Sequence, residues 1–246
     1  MHLTNNHLEK LDYEIILNDL EYTAPYYLKE KGTVGMYRVD NQQNIGIPDI
    51  IREAKVTFMI EINGVTIPFE RNIVYKFNDN IKGEVYNPFD IVPDVTTSII
   101  DKVAIFKNGK SKTVGVKIRS GKEAVEGDLQ LELPENWEIT PKSMPFTLNK
   151  KGDEKIVYFK ISPPKNADER TVKSVAIIDR KRFYKEQVNI NYDHISKQQV
   201  LKPSEAKFIR LDIKTGNEKI AYIMGAGDEV PKSLRQMGYE ISILKP

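Results

Sequence analysis

Three histidines, His2, His7 and His194, are the metal-ligand candidates in a chain of 246 residues that contains no cysteine. A catalytic zinc needs three protein ligands around an open position, and these three are too few and too scattered to supply them. His2 and His7 fall in a terminus expected to fray, and His194 reads as a linker residue bonding backbone. The lack of cysteine excludes a disulfide framework, a thiolate zinc site and a cysteine nucleophile together. Carboxylates are plentiful, but no pair stands out at the separation a glycosidase requires, so no catalytic residue is assigned. Gly225-Ala226-Gly227 lies at a strand-to-helix turn, where helix N-terminal amides attract phosphates. Val230 stands where a dinucleotide fingerprint has its third glycine, and Asp228 repels an anion, so no cofactor is expected. Recognition chemistry is left to Tyr22, Tyr26, Tyr27 and Tyr37. Their rings suit a sugar-stacking platform, and equally a sandwich rim with its hydroxyls in water.

The charge balance narrows the partners further. Lys and Arg total 37 against 35 Asp and Glu, a net charge of +2. No basic block tracks a phosphate backbone, and Lys150-Lys151 and Arg180-Lys181-Arg182 read as solvated faces beside turns, so nucleic acid is not an expected partner. No run approaches the ~20 apolar residues of a membrane span, and the first residues lack the apolar stretch of a signal peptide. A soluble chain without an export signal of its own is expected.

The elements that must position these residues read mostly as strands. Val56, Phe58, Ile60 and Ile62 alternate, Asn63-Gly64 supplies a type I′ turn, and Val65, Ile67 and Phe69 resume the alternation, which predicts a hairpin. Pro68 places its return strand at an edge. Tyr13, Ile15 and Leu17 predict a strand over 12–20, and Ile73, Tyr75 and Phe77 another. Residues 24–28 and 32–37 read as short strand pieces joined by turns. Lys82 to Pro93, punctuated by Gly83, Pro88 and Pro93, reads as an extended strap between two bodies.

Beyond the strap, short alternating segments recur every 8 to 12 residues or so, the pattern of an antiparallel sandwich. Apolar positions are Val95, Thr97 and Ile99; Val103 and Ile105; Val114, Val116 and Ile118; Leu129, Leu131 and Leu133; Phe146 and Leu148; Ile156 and Tyr158; Val175 and Ile177; and Val188, Ile190 and Tyr192. Asn108-Gly109 predicts a second hairpin. Trp137, the one tryptophan, is expected as a core or corner plug. The tail changes rhythm. Ile209, Leu211 and Ile213 predict a short strand, Lys219 to Met224 a strand buried on both faces, and Val230, Leu234 and Met237 a helix capped by Asp228 and ended by Gly238. Glu240 to Leu244 then completes a β-α-β unit, too little to cover both faces of a sheet, so this unit reads as the opening of a truncated α/β domain.

Two resemblances are carried by particular residues. Gly127-Asp-Leu-Gln-Leu-Glu-Leu-Pro-Glu-Asn-Trp137, with Pro141, Pro145-Phe146-Thr-Leu148, Lys151-Gly152 and the 157–164 strand, resembles the immunoglobulin-like NPCBM-associated domain found beside carbohydrate-active catalytic domains. Gly32-Thr-Val-Gly-Met-Tyr37, Tyr75-Lys76, Lys82-Gly-Glu-Val-Tyr86 with Pro88, Tyr192-Asp-His-Ile195, Ala206-Lys207 and the 223–231 segment together resemble the C-terminal half of large PIG-L/LmbE-type proteins, zinc-dependent N-acetylglucosamine deacetylases. Their last piece resembles the start of a glutamine-amidotransferase-like domain. That family's zinc is held by a His-Pro-Asp-Asp segment and a later His-x-x-His pair, and this chain contains neither, so no catalytic or metal residue carries over.

These readings give a mainly β chain with two tandem immunoglobulin-like antiparallel sandwiches, 1–87 and 88–195, and a linker with an incomplete α/β unit over 196–246. The resemblance implies a non-catalytic accessory region, periplasmic or extracellular as part of its parent protein, whose partners are a catalytic domain and a glycan. An independent carbohydrate- or surface-binding module is the alternative.

Overall fold

The computed structural model describes residues 4–16, 20–30, 32–47, 50–195 and 197–244. The chain is mainly β, with one short α-helix among the described residues. It divides into two units, Met1–Tyr22 with Arg52–Ile91, and Thr23–Ile51 with Val92–Pro246.

The first unit is built from two ribbons. β1 (Lys55–Ile62) and β2 (Val65–Asn72) pair antiparallel in the expected register, with Phe58 opposite Phe69 and Ile60 opposite Ile67. Asn63 and Gly64 between them have φ of 51° and 79°, the left-handed pair a type I′ turn requires. β3 (Val74–Asp79) pairs with β4 (Gly83–Pro88). Asp79 shapes their turn, since its Oδ1 accepts from the backbone N–H of both Ile81 and Lys82 at 2.8 Å. Ile73 ties the ribbons together: its N–H donates to the Ala54 carbonyl (3.3 Å) and its carbonyl accepts from Phe89 (3.2 Å). Arg52, 5% exposed, donates from Nε to Asp90 Oδ1 at 3.1 Å and joins the two ends of the 52–91 segment.

Two expectations change here. The segment read as a strap contributes residues 83–88 to β4, where Pro88 stands opposite Val74 at the end of the ladder. No strand forms over the described residues 11–16, and Tyr13 and Ile15 are exposed; alternation alone makes no strand without a partner ladder. Leu17 lies outside the described residues. Strands β1 to β4 keep most of their side chains exposed rather than enclosing a sandwich core.

The second unit contains a β-sandwich. Its strands are β5 (Val95–Ile99), β6 (Val103–Lys107), β7 (Lys112–Ser120), β8 (Val125–Glu132), β9 (Glu138–Thr140), β10 (Met144–Leu148), β11 (Glu154–Ser162), β12 (Asp168–Ile178) and β13 (Lys181–Phe183); then come β14 (Lys185–Ile190), β15 (Gln198–Pro203) and β16 (Glu205–Leu211). One sheet runs β5-β7-β11-β9; the other runs β10-β8-β12-β16-β6, with β13 also on β12; and β14 pairs with β15. The core between the sheets includes Val116, Ile118 and Phe159 from the first and Phe106, Leu129, Phe146, Val172 and Phe208 from the second. Trp137, 4% exposed, fills the corner expected of it. Its ring lies 5.0 Å from Phe106 and 5.8 Å from Phe208, and its indole N–H donates to Asp168 Oδ2 at 2.8 Å.

Three details depart from the periodicity. Asn108 and Gly109 have the left-handed φ values of 51° and 73°, yet β6 and β7 belong to opposite sheets, so this turn carries the chain across the core and closes no hairpin. On β11 the buried side chains are Val157, Phe159 and Ile161, whereas Ile156 and Tyr158 are exposed. The run Ile156-Val-Tyr-Phe159 is apolar at every position and does not tell one face from the other. The short strand expected near 209–213 is β16, which sits between β12 and β6 and pairs with β6 in parallel, Ile209 opposite Ile105.

The tail forms the expected β-α-β unit: β17 (Lys219–Ile223), α1 (Val230–Met237) and β18 (Glu240–Leu244), with β17 and β18 parallel. Gly238, φ 102°, ends the helix, and its N–H bonds the Leu234 and Arg235 carbonyls. β17 is not buried on both faces, since Ile223 is 62% exposed. With one partner strand and one short helix there is too little structure to cover it. No helix among the described residues is long and apolar enough to cross a membrane.

Candidate functional site

Three of the four tyrosines meet in the second unit. Pro25 starts a 3₁₀ turn over Tyr26–Leu28, closed by the Leu28 N–H on the Pro25 carbonyl at 2.9 Å. Thr33 and Met36 bond each other's backbone around Gly35, whose φ of 81° lets the chain reverse. These two turns, rather than the strand pieces expected at 24–28 and 32–37, set Tyr27 edge-on between Tyr26 (5.2 Å, 88°) and Tyr37 (5.4 Å, 69°). Tyr37 is 69% exposed, Tyr27 38%, and Tyr26 is half-buried. The strand below anchors the segment, because Gln199 Nε2 on β15 donates to the Thr23 carbonyl at 3.3 Å. Tyr22 belongs to the first unit. The edge-to-face arrangement makes a corner, not a flat platform. It offers one open ring face at Tyr37.

His7 is exposed with Nε2 3.8 Å from Glu9, His194 stacks on the Tyr192 ring at 5.8 Å, and His2 lies outside the described residues. Among the described residues no group of three or more His, Asp or Glu could hold a metal ion. At the Gly225–Gly227 turn Asp228 fills the place an anion would take. Its Oδ1 accepts from the Val230 N–H at 3.0 Å, and its Oδ2 accepts from the Tyr222 hydroxyl. The Tyr222 bond first, then the Val230 amide, hold the Asp228 carboxyl below the usual carboxylate value, while the same bond raises the Tyr222 phenol. The helix N-cap is Glu229, one residue later than expected, and its side chain makes no capping bond.

A second site was not legible beforehand. An open cleft of about 300 Å³ lies where α1 meets β6 and β7, lined by Asp101, Ala104, Lys112, Thr113, Val114, Lys232, Arg235 and Gln236. Lys232 Nζ is paired with Asp101 at 2.8 Å and Glu229 at 3.5 Å, which raises its pKa, the Asp101 bond being the largest cause. Lys112 is half-buried, and burial lowers its pKa against only a weak pull from Asp101. Its Nζ donates to a neutral acceptor, Gln236 Oε1, at 3.2 Å and lies 5.9 Å from the centre of the Phe106 ring. The signal in the sequence is the i, i+3, i+4 spacing of Lys232, Arg235 and Gln236, which shares one helix face. Nothing local connects them to Lys112.

No family model matches the chain, and no curated protein matches it. Among solved structures it is similar to a family 123 glycoside hydrolase from Clostridium perfringens, described for glycolipid glycan hydrolysis. The identity is 10% and the TM-score 0.30, over 49% of this chain and 28% of that one.

Proposed function

We propose that the chain is a non-catalytic accessory β-sandwich region of a PIG-L/LmbE-family deacetylase-like protein, orienting its catalytic domain or its glycan substrate. Such a protein would work in the periplasm or outside the cell. The observation that carries this reading is the apolar face of the β1–β2 ribbon. Phe58/Phe69, Ile60/Ile67 and Ile62/Val65 stand opposite one another there, and Phe58, Ile62 and Val65 are 48%, 52% and 61% exposed. A lone two-stranded ribbon is marginal in water and gains most when such a face is covered. The resemblance of the surrounding segments supplies the cover, the catalytic domain carrying the His-Pro-Asp-Asp segment. The test is calorimetric titration of this chain with that domain. Binding weakened about ten-fold or more by Phe58→Ser with Phe69→Ser is expected; no binding, or binding indifferent to both substitutions, overturns the reading.

The tyrosine corner favours a second reading, an independent carbohydrate- or surface-binding module using Tyr26, Tyr27 and Tyr37. An open aromatic face is what a sugar ring stacks on. A glycan array in which hits disappear with Tyr37→Ala supports it, and an array without hits removes it.

A further inference from the structure

We propose that the cleft between α1 and the β6–β7 edge is a binding site for a phosphate monoester of sugar-phosphate size. Its lining carries three cations, Lys112, Lys232 and Arg235, and the two carboxylates at hand, Asp101 and Glu229, both lie on Lys232, at 2.8 and 3.5 Å. A phosphoryl monoester carries about −1.5 to −2 at neutral pH and presents three oxygens, enough to meet Lys112 and Arg235 together. Lys112 faces the neutral Gln236 Oε1 from a half-buried position beside the Phe106 ring.

A half-buried ammonium bonded to a neutral amide, with only a weak pull from Asp101, is costly, and burial lowers the Lys112 pKa. An incoming dianion converts that cost into a charge-assisted hydrogen bond. Arg235 adds a planar fork suited to phosphate oxygens; its present bond, Nη2 to the Ile241 carbonyl, is long at 3.4 Å. The volume of about 300 Å³ exceeds a bare phosphate and sits at the small end of ligand pockets, leaving room for one sugar ring against Thr113 and Val114. The elements that hold the cleft open are fixed, because Gln236 bonds β6 at both Val103 and Ile105. This site uses none of the residues on which the accessory reading rests.

The experiment is calorimetric titration of the full chain at low ionic strength with glucose 6-phosphate, inorganic phosphate and glucose. Both phosphates are expected to bind and glucose is not. Tighter binding of glucose 6-phosphate than of inorganic phosphate is expected, and equal binding of the two identifies a free-phosphate site and overturns the monoester assignment. Lys112→Met keeps the apolar stem on Phe106 and is expected to weaken phosphate binding about ten-fold or more, as is Arg235→Met, while Lys110→Met on the exposed turn leaves it unchanged. Folding of each variant is checked by thermal unfolding, and Arg235→Met decides alone if Lys112→Met does not fold. Absence of phosphate binding, or equal loss in Lys110→Met, overturns the proposal.

Discussion

The side-chain amide of Gln236 completes the outer edge of the sandwich at Ile105: its Oε1 accepts from the Ile105 N–H at 2.7 Å while its Nε2 donates to the Val103 carbonyl at 3.1 Å. Positions 103 and 105 are the alternate backbone groups that a further strand would pair with. β6 stands at the end of its sheet, so a helix residue does here what another strand would do and blunts an edge otherwise open to association. Gln236→Ala is expected to cost about 1–2 kcal/mol and to promote self-association. Gln236→Glu can still accept from Ile105 but cannot donate to Val103, and should fall between the two. Urea unfolding and sedimentation of the three proteins check this; an unchanged midpoint and mass in the alanine variant would contradict it.

A buried hydroxyl chain spans the two sheets. Ser174 Oγ donates to Thr97 Oγ1 at 2.8 Å, the Thr97 hydroxyl lies 3.3 Å from the Ser174 carbonyl, and Ser204 Oγ is 2.6 Å from Ser174 Oγ. Since the Ser174 proton is committed to Thr97, Ser204 is the donor in the last bond. All three residues are at most 1% exposed, so no water replaces a missing partner. Ser174→Ala therefore strands the Ser204 hydroxyl and should cost about 1–3 kcal/mol, read as a lower denaturation midpoint. Replacing Ser174 and Ser204 together by alanine should cost less than the sum of the two single changes.

Trp137 and Asp168 couple the core to pH. The indole N–H is the largest cause, ahead of Arg170 and Asn136, holding the Asp168 carboxyl below its usual value. A carboxylate whose folded pKa is depressed contributes stability that is present above its unfolded pKa of about 3.9 and is lost as pH falls through the folded value. Trp137→Phe keeps an aromatic ring against Phe106 and Phe208 and removes the donor. It should lose about 1–2 kcal/mol at neutral pH. The gap between the two melting temperatures should narrow below the ordinary carboxylate range; a gap independent of pH would rule out the Asp168 bond as its source.

What the sequence made legible follows from range. The Asn63-Gly64 turn and the Gly238 helix stop depend on neighbours within a few residues, and each stands where local chemistry puts it; the burial of Trp137 follows from its residue type, though its partners Phe106, Asp168 and Phe208 are distant in sequence. The parallel pairing of β16 with β6 joins residues about a hundred positions apart, and no local pattern encodes it. The same distance hid the cleft, whose Lys112 comes from a strand and whose Lys232, Arg235 and Gln236 come from the tail helix. The tyrosines were legible as residue types, but their grouping was not, because it depends on two turns that the aromatic pattern had made into strands.

The two faces of β11 supply the sharpest mutational contrast. Phe159 is fully buried and Tyr158, its neighbour, is 59% exposed. Phe159→Ala leaves a cavity in the sandwich and should cost about 3–5 kcal/mol. Tyr158 stands opposite Gly115 on β7, and its ring lies over that glycine: a Cβ added there would meet the Tyr158 ring at 3.2 Å and Ile100 at 2.8 Å. Tyr158→Ala removes only this surface cover and should cost about 0.5 kcal/mol. Gly115→Ala should cost more than Tyr158→Ala, and the double change should recover part of that loss by giving the new methyl room. Chemical denaturation of the four variants tests the assignment of faces. A Tyr158→Ala cost equal to that of Phe159→Ala would reverse it, and with it the register in which β7 and β11 close the core.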